Sequence, residues 1–181
     1  MSTIRFLKPI FAFCTLFVLT FFVVPQQPSV EAIAPLPATL SIPSIGVNAP
    51  VLPVYLRQYE DGNVTWDVEH LRWQVGHLQG TTWFGQNGTI ALGGHSEAVN
   101  GSPDIFYNLE HTNIGDIITV NVDGQLLTYQ IAAERTVTSD DLSILNSTGT
   151  EMLTIFTCDI SSYQADGSYS RRHVVFAVRV S

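Results

Sequence analysis

From residue 40 to the end, β-branched and apolar residues come in short runs, each cut by Gly, Pro or a cluster of Asn, Asp and Ser. Runs this short fit strands and leave almost no room for regular helix, so the fold is expected to be all-β. Leu40 to Val54 reads as two strands, with Pro43 and Pro50 restricted to edges or strand starts. Residues 57 to 79 hold Trp66, Trp73, His70 and His77 without clear periodicity, and predict loops with a short helix. Thr89 to Leu92 is a strand that ends at Gly93-Gly94-His95. Ser102-Pro103-Asp104 has the pattern of an N-cap, a first-turn proline and a first-turn acid, predicting a short helix through Leu109. Asp123-Gly124, between Ile117–Val122 and Gln125–Val137, is a two-residue hairpin signal. Ser139 to Leu145 predicts a further helical turn, and Leu153–Thr157 and His173–Val180 are the last two strands. A closed barrel leaves the fewest strand edges exposed.

Ahead of these strands, Arg5 and Lys8 precede an unbroken apolar run from Ile10 to Val24 that Pro25 ends. A basic start followed by an apolar run is an export signal, so residues 1–25 are expected to be a signal peptide or membrane anchor. Residues 26–39 read as a linker and 40–181 as the exported domain. If the leader stays uncleaved, the protein contacts the membrane through it, on the extracytoplasmic face. If it is cleaved, the protein is secreted. Leu36-Pro37-Ala38-Thr39 resembles a recognition motif, but it lacks a following small residue and apolar tail and reads as coincidence.

Of the two cysteines, Cys14 lies in the leader, which leaves Cys158 without a partner in the exported domain. A solitary thiol in an oxidising compartment is a candidate nucleophile. From Pro9 onward there are sixteen carboxylates, six arginines and no lysine, a net charge of −10. Such an acidic surface argues against a nucleic-acid partner. The domain also has no lysine amine of its own to act as an acyl acceptor.

Cys158 sits at a predicted strand end, with Arg171 and Arg172 beginning the next strand. Successive strand residues face opposite ways, so at most one guanidinium looks toward the thiol. A nearby cation favours the thiolate. The competing reading is a small buried hydrophobe. Among the five histidines, His95 follows two glycines at a strand end, where the chain can turn and leave the ring at a rim. His77 lies in the Trp-rich piece and His111 just past a predicted helix.

The strings LSIPSIGVNAPV, NGTIALGGH, GDIITV, LTIFTC and RRHVVFAV resemble those of sortases, in this order, across residues 40 to 180. This resemblance implies a sortase-like closed eight-stranded β-barrel with short helical turns. It also implies cysteine transpeptidation: cleavage of a C-terminal sorting signal after Thr, and transfer of the protein to an amine acceptor at the cell surface. The implied partners are secreted proteins bearing sorting signals, and a cell-wall precursor or pilin lysine as the amine. The implied catalytic residues are His95, Cys158 and Arg172, with Thr157 in the substrate pocket. No cofactor follows, and no metal, because the acid-lined ion site of the best-known class has no matching residues here. Two other classes remain open from the residues alone: an exported cysteine peptidase with water as acceptor, and a non-catalytic surface β-domain.

Overall fold

The computed structural model describes residues 36–181. The expected leader, 1–25, and residues 26–35 of the expected linker lie outside the described residues. Among the described residues the strands are β1 (Ala38–Ile42), β2 (Val47–Val54), β3 (Leu56–Gln58), β4 (Val64–Trp66), β5 (Val75–Leu78), β6 (Thr89–Gly93), β7 (Ile117–Val122), β8 (Gln125–Thr138), β9 (Met152–Cys158) and β10 (Arg171–Arg179). Eight of them close a barrel in the order β1-β2-β5-β6-β9-β10-β8-β7, while β3 and β4 form a separate hairpin. Pairing is mixed: β2 runs parallel to β5 and β6 parallel to β9, and the other neighbours are antiparallel. The fold is therefore an all-β closed eight-stranded barrel with short 3-10 turns. Ala38 and Thr39 already pair with both β2 and β7, so the end of the expected linker belongs to the barrel.

A closed barrel has no edge to shelter a proline, yet β2 carries Pro50 and Pro53. β2 pairs with β1 over Val47–Val51 and with β5 over Val51–Val54. Each proline thus lies where β2 has a single partner, and its missing N–H costs no ladder bond. At the β7–β8 turn, Asp123 and Gly124 both take positive φ, 50° and 88°, as a two-residue hairpin of this hand requires.

Two expected helices are absent. Residues 57–79 form the β3–β4 hairpin and β5; the Trp66 indole N–H donates to the Gln79 carbonyl, and the Gln79 side chain accepts from the Leu56 N–H. Residues 102–109 form turns, with a 3-10 turn only at Leu109–His111. The first-turn acid Asp104 instead accepts the N–H of Trp73, 31 residues away, so a tertiary contact takes the cap that a helix needed. The expected turn before β9 is present at Leu142–Leu145.

Strand alternation sorts the apolar residues into two cores. Leu40, Ile42, Leu92, Tyr129, Leu153, Ile155 and Val175 fill the barrel. Val137, Ile144 and Val174 form a smaller cluster, with Leu145, Phe156 and Phe176 packed on it. Each such side chain contributes about 1.5–3 kcal/mol on burial. On β9 and β10 the two sets alternate, so Phe156, Val174 and Phe176 face outward under the Leu142–Leu145 turn.

Candidate active site

Cys158 has the parity of Phe156, and Arg172 that of Val174 and Phe176, so both belong to the outer face. They are direct partners across the β9–β10 ladder. His95 arrives from the other neighbour of β9: β6 pairs Gly93 with Phe156, and the chain then turns away through Gly94. All three residues line one cavity of about 230 Å³. The walls of this cavity include Trp66, Val68 and Leu71 on one side and Leu142, Ile144 and Leu145 on the other. The β3–β4 hairpin thus supplies a groove wall.

The double glycine is a packing requirement. A Cβ on Gly94 would sit 2.6 Å from the Phe106 ring and 2.8 Å from Ile105 Cγ2, and one on Gly93 3.3 Å from the Phe156 ring. Gly94→Ala is expected to displace the His95 loop, lowering kcat/KM by at least tenfold. Overpacking of this kind costs about 1–3 kcal/mol of stability. Steady-state kinetics and thermal unfolding check both effects, and wild-type values in each would contradict the packing account.

His95 Nε2 lies 3.0 Å from the Val68 carbonyl oxygen. A carbonyl only accepts, so Nε2 carries a proton and Nδ1 is the nitrogen left for proton transfer. Thr157 lines the same cavity, but its hydroxyl donates to the Gly94 carbonyl at 2.8 Å. That bond ties the end of β9 to the start of the histidine loop.

Arg172 is half-buried, and its Nη1 donates to the Tyr169 and Arg171 carbonyls, both at 3.2 Å. Its Nε and Nη2 meet no protein acceptor among the described residues. Arg171 lies on the other face, where its Nε pairs with Asp159 at 3.0 Å and its Nη2 donates to Ser161. Burial pushes the Cys158 thiol up, Arg172 opposes that shift and Glu97 adds to it. The expectation of a cation-favoured thiolate is therefore corrected: Arg172 acts in the expected sense, but desolvation outweighs it.

The remaining histidines sit apart. His77 is buried, its Nε2–H donating to the Thr82 carbonyl at 2.8 Å and its ring packed edge-on against Trp83 at 4.8 Å; burial lowers its pKa. His173 faces Glu134 at 3.9 Å, while His70 and His111 are exposed. Sequence reasoning missed Glu97 and Tyr169. The Tyr169 hydroxyl donates to Glu97 Oε2 at 3.0 Å, linking the loop after β9 to the loop after His95. Two positions 72 residues apart give no local signal of such a contact.

A closed mixed barrel that presents a thiol, an imidazole and a guanidinium in one groove is the architecture of a cysteine acyl-transfer enzyme. The Sortase domain family matches residues 40–180, and the chain belongs to that family. Similar solved structures include a lid mutant of sortase A from Corynebacterium diphtheriae, 28% identical over 83% of this chain and 73% of that one, with a TM-score of 0.62. Sortase C1 from Streptococcus agalactiae is 28% identical over 80% of this chain and 67% of that one, at a TM-score of 0.61. A sortase D5 transpeptidase from Clostridium perfringens, 21% identical over 81% and 79%, shares the fold at a TM-score of 0.59. No curated protein matches the chain. The protein is thus a sortase-family cysteine transpeptidase, of a family that works outside the cytoplasm on proteins carrying sorting signals.

Proposed function

We propose that this transpeptidase cleaves a C-terminal sorting signal after its Thr and passes the acyl group to a primary amine at the cell surface, on a cell-wall precursor or a pilin lysine. The reading is supported chiefly by one observation: Cys158 and Arg172, paired across β9 and β10, share a groove with His95. Residues 1–25 anchor the enzyme to the extracytoplasmic face of the membrane, or release it when removed.

The resting thiol holds its proton, because burial pushes it up. When substrate binds, that proton passes to the free nitrogen of His95. The sulfur forms a C–S bond with the carbonyl carbon after Thr, and the imidazolium protonates the departing amine as the C–N bond breaks. The free donors of Arg172 face the oxygen on which negative charge develops. Thr157 lines the substrate pocket and serves it by fixing Gly94, and so the ring that follows.

Arg172→Ala is expected to lower kcat about 10²- to 10³-fold, the usual cost of losing an oxyanion donor. Arg171→Ala, on the opposite face, should stay within about threefold, in keeping with an exposed ion pair. Equal losses in the two variants would remove Arg172 from its role. The activity itself is tested by mass spectrometry of Cys158 after incubation with sorting-signal peptides. A thioacyl adduct that a primary amine converts to ligated product is expected. Hydrolysed product alone, with amine present, would make the protein a peptidase.

A further inference from the structure

His95 also borders a second cavity, of about 1250 Å³, whose other lining residues differ from those of the apolar groove. The loop carrying Glu97 to Asp104 forms one wall, and the loop after β9, with Tyr163 and Tyr169, forms another. Three carboxylates, Glu69, Glu97 and Asp104, line it, and Arg72 is its only cationic lining residue among the described residues. Asp104 is 4% exposed. Its Oδ1 accepts the N–H groups of Trp73 at 2.8 Å and Ile105 at 2.6 Å, while Oδ2 accepts no hydrogen bond among the described residues. Glu97 is held by Tyr169, and burial and that bond push the Tyr169 hydroxyl up to about 12, so it stays a donor. Neither Glu97 nor Asp104 has a cationic partner among the described residues.

Acyl transfer has two halves, and the apolar groove suits only the first. The acceptor needs a different approach to the thioester, one that also passes His95 and tolerates positive charge, since a primary amine reaches the enzyme as an ammonium. The geometry points to the second cavity as the acceptor site, with Glu97, fixed by Tyr169, as the residue that receives the acceptor's ammonium beside His95. This inference rests on the reading of Cys158 as nucleophile. The nitrogen arrives with three protons and keeps one in the amide. One proton goes to the His95 imidazole and on to solvent; the other ends on Cys158 as the C–S bond breaks and the C–N bond forms. Glu97 and His95 line the same cavity, and the charge of Glu97 acts on the Cys158 thiol in the sense that keeps it protonated.

The test compares acceptors of different charge. Glycylglycinamide and Nα-acetyl-lysinamide carry an ammonium near neutral pH, whereas hydroxylamine is largely uncharged. Glu97→Gln keeps an acceptor for Tyr169 but removes the charge. It should raise KM for the charged amines about tenfold, the size expected on losing a charge-assisted hydrogen bond. KM for hydroxylamine should change by less than about twofold, because no charge is lost from that encounter. Tyr169→Phe, which keeps the charge but frees the side chain, should raise KM for the charged amines by about threefold, a part of that effect. Added salt should weaken charged-amine use by wild type and not by Glu97→Gln. Of the two charged probes, the one more affected identifies whether a terminal amine or a lysine is received. Equal losses with hydroxylamine and the charged amines, or an unchanged KM for all, would overturn the proposal. Failure of wild type to form a thioacyl adduct without amine would instead overturn the assignment of Cys158.

Discussion

Cys158→Ala is expected to abolish turnover of sorting-signal peptides, with kcat/KM falling roughly 10⁴-fold or more, because the proposed covalent step has no substitute in the domain. Cys158 is the only cysteine in residues 40–181, and no lysine follows residue 8. Cys158→Ser is expected to be nearly as inactive, since a hydroxyl gives up its proton far less readily than a thiol. Steady-state peptide cleavage and the loss of the thioacyl adduct check this; activity of either variant within tenfold of wild type would end the nucleophile assignment. The raised thiol pKa adds a pH signature. A group whose pKa is raised keeps its proton to higher pH, so iodoacetamide labelling of Cys158 should follow a curve alkaline of the roughly 8.5 of free cysteine. Arg172→Ala should shift that curve further in the alkaline direction, because it removes the positive charge that opposes burial.

His95→Ala is expected to lower kcat/KM about 10²- to 10⁴-fold, the range found for loss of a general acid–base group. The Val68 carbonyl engages Nε2, which leaves Nδ1 as the nitrogen for the proposed proton transfer. Imidazole added to the variant should restore part of the rate. The control is His77→Ala, whose ring packs against Trp83 and bonds the Thr82 carbonyl. That variant should lose stability, seen as a lower Tm, while retaining chemistry in the folded fraction. If the His77 variant shows the chemical defect and the His95 variant does not, the two roles have been assigned to the wrong rings.

Which parts of this were legible in the sequence follows from the range of the forces involved. Strand period is local, so the opposite facing of Arg171 and Arg172 could be read before any fold was known. Asp123-Gly124 announced its hairpin because only a few residue types accept positive φ at both positions. The two failed helices show the limit. Ser102-Pro103-Asp104 has the chemistry of a helix start, but the Asp104 carboxylate found the Trp73 N–H first. The β3–β4 hairpin has a local signal in Asp61-Gly62, with Gly62 at φ 87°, but its strands are only three residues each and its placement is set by contacts between Trp66 and Gln79. The proton affinity of the thiol depends on how much water the groove excludes, which no spacing encodes. His95 stood out by its glycines, yet Gly94 is explained by Phe106 and Ile105, residues that follow it, and Gly93 by Phe156 on β9.

The order in which the barrel closes has a consequence for how the enzyme comes into being. β6 must wait for β9, more than fifty positions later, and β9 for β10, before the thiol, the ring and the guanidinium are neighbours. Pairings this distant in the chain are slow to form, because loop entropy is lost before any contact compensates for it. A nascent chain that ends before β10 therefore has its sulfur but not the fixed cation beside it. Under the proposed mechanism, an unfinished copy therefore lacks its oxyanion donor until the final strand is in place.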